Sequence, residues 1–360
     1  MSMNVTYIPY PEFKSLEYLI NAKLPTTGDV NSRLRFLTET TVNASKDISD
    51  WAENLLRHHH KVDLVIYDNM AIWGYVAAQR LGMANACSIT IMATNKAVMQ
   101  NTGDGGIYLT LSSEVSEPLQ ALHNKNVHGI QSFTDIMTCE YNPKKILYTS
   151  QYLQRHPSFF PINDYIFFPK RCDDNIISKR ISDKTKIYVS FGTVYNSDVE
   201  LYTNILDTIT NKGYEIIVSV GGSENTFNAI KKHNNYTDVA VEKFVDQESL
   251  LPNIDIFITH AGLNSASESI CHLVPMITIP LVGDQNDIAK SLLSLGGGYL
   301  VQRQNISENI EIAITHVINN LESYQANLSK IKESLNDNQA AESALGILEE
   351  MMGTVTLDEL

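Results

Sequence analysis

From residue 62 onward, short apolar runs rich in β-branched side chains alternate with longer stretches of helical spacing. A parallel sheet with crossover helices produces that rhythm, so the class is α/β. Residues 62–67 read as a buried strand. Residues 72–81 carry apolar side chains at helical spacing and stop at Gly82. Further strands are expected at 86–91, 145–148 and 165–168. A helix running from Ser45 precedes the first strand and ends at His58, His59 and His60, where imidazoles complement the helix dipole. Metal binding is the other reading of that triplet. Between residues 169 and 186 the pattern turns charged and loses its period, which places a linker there. The rhythm then restarts with strands at 187–191, 215–220, 239–244, 255–259, 276–279 and 298–301. Helices are expected at 198–211, 264–272 and 287–295, and two more from Ser307 and Asp337. Six strands alternating with helices make one complete doubly wound domain. The expected division is 1–170, a linker at 171–185, a second domain at 186–336, and a terminal helix and tail at 337–360.

Composition narrows the function classes. The 360 residues carry 27 basic and 41 acidic side chains, a formal net charge of −14, which repels phosphate backbones and anionic headgroups and argues against nucleic acid or a membrane surface as partner. An apolar fraction of 43% fills a core in each half and excludes a disordered chain. No window approaches the ~18 apolar residues of a membrane span, and the first residues lack the basic and apolar pattern of a signal peptide. A cytoplasmic protein is expected, and the terminal Leu357-Asp358-Glu359-Leu360 is read as a chance match to a retention tag. The cysteines at 87, 139, 172 and 271 show no paired spacing, so they are expected to be reduced thiols rather than a disulfide framework or a zinc site.

The densest chemical signal is Thr259-His260-Ala261-Gly262-Leu263-Asn264-Ser265-Ala266-Ser267-Glu268, at the end of a strand and the start of a helix. A glycine that lets the backbone come close, donors at a helix N-terminus and a strand-terminal histidine form an anion site. Ordinary capping by Asn264 and Ser265, with Glu268 completing a capping box, is the competing account. It leaves His260 and Gly262 unexplained.

These residues resemble the UDP-glycosyltransferase superfamily, in particular its bacterial macrolide-type branch, whose fold is GT-B, two facing Rossmann-like doubly wound domains. The resemblance runs from Phe244-Val245-Asp246-Gln247 through Leu250-Leu251 and HAGLNSASES to Val274-Pro275-Met276 and Pro280-Leu281-Val282-Gly283-Asp284-Gln285, and more weakly over 62–91. It implies that Val245 and Gln247 lie against the nucleobase, that His260, Gly262, Asn264 and Ser265 hold the diphosphate, and that Glu268 takes the ribose hydroxyls. Asp284 and Gln285 would contact the donor sugar, and Gly192 and Thr193 would face the diphosphate from a loop below. Plain turn or loop roles remain the alternatives for Gln247, for Asp284 and Gln285, and for Gly192 and Thr193. The implied chemistry is inverting transfer of a hexose, glucose being expected, from a UDP- or dTDP-sugar to a hydroxyl of a lipophilic small molecule. No metal and no cofactor are implied beyond the nucleotide-sugar co-substrate, and the sequence leaves the oligomeric state open.

Family members normally open with a strand followed by a loop bearing a histidine that deprotonates the acceptor. No histidine occurs before His58, and NVTYIPYP fits a later strand of their first domain, so the N-terminal domain is expected to be incomplete and the catalytic residue is unassigned. Asp68 is expected to cap the helix that begins near Ala71 rather than to act as a base. The second functional reading is a catalytically impaired nucleotide-sugar-binding protein or partner subunit. A nucleotide-sugar epimerase is a third, without matching carboxylate motifs. Variable loops over 100–140 would shape the acceptor pocket.

Overall fold

The computed structural model describes residues 8–13, 30–58, 62–103, 129–130, 132–172, 184–193, 196–233, 236, 238–281 and 283–353. Several expectations fall outside them: His59 and His60, the first half of the opening NVTYIPYP, the stretch 104–128 of the acceptor loops, 173–183 of the linker, Val282 and the last four residues.

The first half contains helix α1 (Val30–His58), strand β1 (Val65–Asp68), α2 (Ile72–Leu81), β2 (Asn85–Ile89), α3 (Lys96–Thr102), α4 (Phe133–Thr138), β3 (Lys145–Leu147) and β4 (Tyr165–Phe167). Its four described strands are all parallel, in the order β1-β2-β3-β4. Among the described strands β1 pairs on one side only, and Ile66 on it is half exposed. Gly82 ends α2 in the left-handed conformation, as the sequence indicates. Asn95 starts α3 by accepting the Val98 N–H. Helix α1 begins fifteen positions earlier than expected, because its Thr- and Asn-rich stretch disguises the buried stripe of Val42, Ala44 and Ile48. It packs on α2, where Arg80 pairs with Asp50 and Glu53. His58 closes α1 with Nδ1 2.7 Å from the Asn54 carbonyl, which fits the helix-end reading.

The second half comprises β5 (Lys186–Ser190), α5 (Val199–Ile209), β6 (Glu215–Ser219), α6 (Glu224–Lys231), β7 (Val239–Glu242), α7 (Gln247–Leu250), β8 (Ile256–Thr259), α8 (Leu263–Cys271), β9 (Met276–Thr278), α9 (Gln285–Ser294) and β10 (Gly298–Leu300). Helices α10 (Ile306–Asn319), α11 (Leu321–Leu335) and α12 (Asn338–Gly353) follow. The sequence pattern runs α10 and α11 together and passes over α3, α4 and α6, which are short and carry few apolar positions. All six strands are parallel in the order β10-β9-β8-β5-β6-β7. Chain order therefore reverses between β5 and β8, and a crevice opens at their carboxyl ends.

Alternate side chains of these strands fill two layers. Ile187, Val189, Ile216, Val218, Ile256 and Ile258 pack against α5 and α10. On the other face, Tyr188 stacks on Phe257 at 4.7 Å beside the apolar side of α8 and α9. Met92 and Leu153 of the first half join this second layer, so the core runs across the two halves. Helix α12 returns to the first sheet, where Ala344 packs with Ala86, Ile146 and Ile166.

The cysteines correct an expectation. Cys172 and Cys271 form a disulfide across 99 residues of sequence, while Cys87 and Cys139 are free and buried. Spacing is silent on such a pair, because only the packing of the segment after β4 against the end of α8 brings the two α-carbons within 5.0 Å.

Candidate functional site

The crevice at the switch point widens into a cavity of about 510 Å³ between the two sheets. All the residues expected at the donor line it except Glu268. From the first half, Thr90 and Ile91, just past β2, close the opposite wall.

The central element is the turn from β8 into α8. His260 follows the strand, Ala261 takes a left-handed φ of +64°, and Gly262 is the cap of α8, with no side-chain hydrogen bond to the first turn. A non-glycine residue held in that region marks strain sustained by its surroundings. Capping by Asn264 and Ser265 is therefore not what the structure adopts. Ser265 Oγ instead accepts from Gln247 Nε2 at 3.3 Å, and Glu268 accepts from the same nitrogen at 2.7 Å. The leading N–H groups of α8, at the positive end of its dipole, can bind an anion.

Gly262 and Gly192 are needed for space. A Cβ on Gly262 would stand 2.6 Å from His260 Nε2, and one on Gly192, whose φ is +75°, would meet Cε1 at 3.0 Å. The two glycines clasp the imidazole. Burial pulls the His260 pKa down to about 4, opposed by a hydrogen bond to the Ser190 backbone. The ring is therefore neutral at pH 7 in the protein as it stands, with a single N–H to donate.

Gln247 opens α7 behind its cap Asp246, and its side chain reaches across to α8 instead of ending in the turn. Glu268 faces a neighbouring cavity of about 500 Å³ and lies 3.6 Å from Lys170 Nζ. Of the pair expected at the sugar, Asp284 lines the cavity but its Oδ2 accepts the Met92 N–H at 3.0 Å, tying the two halves together. Burial raises its pKa, and the Met92 bond opposes the rise. Gln285 is buried, with Oε1 accepting the Leu281 N–H at 2.8 Å, so that much of its side chain serves its own loop.

Asp68 does not cap α2: Ala71 is the cap, and Asp68 accepts the Met70 N–H in the preceding turn. Its other oxygen accepts from Thr90 Oγ1 at 3.2 Å, one bond away from the cavity wall. The sequence reading missed Gly221 and Phe244 as wall residues and Lys170 beside Glu268. The pair Gly221-Gly222, one residue past β6, is a legible sign of close backbone approach. A Cβ on Gly221 would fall 2.0 Å from the Gly192 carbonyl oxygen. Among the described residues no group of three or more His, Cys, Asp or Glu side chains could hold a metal, and no helix is long and apolar enough to cross a membrane.

Two parallel α/β sheets facing each other across a switch-point cleft define a GT-B protein. The family described as UDP-glucoronosyl and UDP-glucosyl transferase matches residues 180–342. An uncharacterised UDP-glucosyltransferase of Bacillus subtilis, YojK, is 24% identical over 93% of this chain and 82% of its own length. The glycotransferase of kitacinnamycin superposes with a TM-score of 0.71 at 16% identity, over 91% of this chain and 84% of that one. The glycosyltransferase VinC, solved in complex with dTDP, gives 0.62 at 14% identity, over 93% and 85%. The structural likenesses establish the fold, and the family match over residues 180–342 with the Bacillus relative supports membership of the UDP-glycosyltransferase superfamily.

Proposed function

We propose that the chain is an inverting, metal-independent hexosyltransferase of the cytoplasm. It would move a hexose, glucose being expected, from a UDP- or dTDP-linked donor to a hydroxyl of a lipophilic small molecule. On this reading residues 1–170 receive the acceptor and 186–336 bind the donor. The observation that carries the reading is the N-terminus of α8, capped by Gly262 with no side-chain hydrogen bond and preceded by His260, opening onto the cleft between the sheets. A diphosphate there meets backbone N–H groups and the helix dipole. The acceptor oxygen attacks the anomeric carbon from the face opposite the diphosphate, the bond to the bridging phosphate oxygen breaks, and the charge that develops on the leaving group falls where the donors already point. Val245 and Gln247 border the base end, Glu268 the ribose, and Asp284 with Gln285 the sugar; Gly192 and Thr193 face the diphosphate from the β5 side.

Calorimetry with UDP, dTDP and GDP, without divalent metal, tests the donor site. Binding of UDP or dTDP is expected, and Glu268→Ala should weaken it. A strict Mg²⁺ requirement sinks the site as described. A second reading, donor binding with little turnover, draws on one observation. In the first half the described residues lining the cavity are Thr90 and Ile91, neither a base at neutral pH, while both oxygens of Asp68 are engaged. A positioned base contributes about 10²–10⁴-fold. Turnover of UDP-glucose against phenolic and macrolide acceptors separates the two readings.

A further inference from the structure

We propose that the Cys172–Cys271 disulfide is a thiol-exchange site, and that its reduction by a dithiol weakens nucleotide binding by loosening Lys170 from Glu268. The proposal rests on the donor reading above.

The bond joins two particular places. Cys271 is the last residue of α8, one turn beyond Glu268 on the helix whose first turn faces the cleft. Cys172 belongs to the segment that leaves the first sheet after β4. That segment is held from several directions: the Cys172 N–H donates to Asn336 Oδ1 at 2.8 Å, Asn336 Nδ2 donates back to the Cys172 carbonyl, and Arg171 donates to Asn338. Two residues before Cys172, Lys170 pairs with Glu248 and stands 3.6 Å from Glu268 Oε1. The other carboxylate oxygen of Glu268 accepts from Gln247. The two oxygens are thus oriented by two different parts of the chain, and the disulfide sets how closely one of them, Lys170, is kept to α8.

Both cysteines, with Lys170, Arg171 and Glu268, form the wall of the 500 Å³ cavity beside the cleft, so a small thiol can approach the bond. Lys170 and Arg171 share that wall with Glu248 and Glu268, so it carries no net negative charge to repel an incoming thiolate. In the exchange, one thiolate of the dithiol attacks a cysteine sulfur, the S–S bond breaks, and a mixed disulfide forms with the other cysteine released as a thiolate. The second thiol of the reagent then resolves the mixed disulfide. Two electrons and two protons pass to the cysteine pair, which ends as two thiols, and the reagent ends as its own disulfide. Lys170 is then held to α8 by its ion pair with Glu268 alone, its segment otherwise anchored to Glu248 on α7 and to Asn336 and Asn338, and Glu268 loses part of its preset orientation toward a ribose.

The test uses the full chain. Alkylation with iodoacetamide in denaturant, without reductant, should modify two cysteines, Cys87 and Cys139, and after dithiothreitol all four. Modification of all four without reductant overturns the proposal. Calorimetry with UDP should then show affinity about threefold to fivefold lower in the reduced protein, the scale of a partly exposed ion pair. The double variant C172S/C271S should bind like the reduced protein and ignore dithiothreitol. Lys170→Ala should bind UDP with the weaker affinity in both states, whereas a merely structural disulfide would shift Tm and leave affinity alone. Equal UDP affinity in the two redox states overturns the switch and leaves the donor reading standing. No UDP binding in either state overturns the donor reading and the switch with it.

Discussion

Burial holds the His260 imidazole neutral, with its pKa near 4, and one ring nitrogen faces the Ser190 backbone. A neutral ring has a single N–H, so a phosphate oxygen on its other side draws in a proton and raises the pKa in the complex. Between the free and the bound pKa, binding takes up a proton, so affinity must rise as pH falls through that window and level off below about 4. Titrating UDP-glucose, whose diphosphate does not itself titrate there, between pH 8 and pH 5 should show this rise in the wild type and a flat profile in His260→Gln. A flat wild-type profile would mean that the ring binds without protonation. At Asp284 the Met92 bond adds a consequence that the sequence alone did not indicate. Asp284→Ala should weaken UDP-glucose but spare UDP, as a sugar contact requires. It should also lower Tm by removing a bond between the two halves. Equal loss with both ligands would place Asp284 elsewhere on the donor.

At the scale of elements, β8, its turn and α8 act as one device. The strand is buried on both faces, which fixes where it ends, and the left-handed Ala261 turns the chain so that Gly262 caps the helix at the crevice. The space around His260 comes from glycine, so Gly262→Ala is expected to push the ring aside and weaken UDP binding by about 1–3 kcal/mol, the range for losing a hydrogen bond to a charged group and leaving a buried donor unmatched. The backbone φ of Gly262, −65°, suits any residue, so Tm should move little. A large fall in Tm with unchanged affinity would contradict the packing argument.

Across the whole molecule, two parallel sheets share a continuous apolar layer through Met92 and Leu153, and α12 crosses back from the second half to cover the first sheet. The terminal helix is therefore part of the first half's core. Placing a charge there by Ala344→Asp, where the native side chain is 2% exposed among Ala86, Ile146 and Ile166, should destabilise the first sheet by several kcal/mol. Hydrogen exchange should rise over β2, β3 and β4 before it rises over β5 and β8, and uniform exchange would show that the two halves unfold as one. The sequence by itself determined the alternation of strands and helices, the six-stranded second sheet and the glycine-histidine turn, because each rests on local periodicity or on residue types whose backbone demands are intrinsic. Its strand ends fell within a few positions of the observed ones, and its misses were the short helices α3, α4 and α6, whose few apolar positions leave no period to read. Only the tertiary structure decided that Cys172 meets Cys271, that Asp284 holds Met92, that Gln247 reaches Glu268, and that His260 is neutral. Each of those depends on side chains distant in sequence meeting in one desolvated place, and neither pairing nor desolvation leaves a trace in the order of the residues.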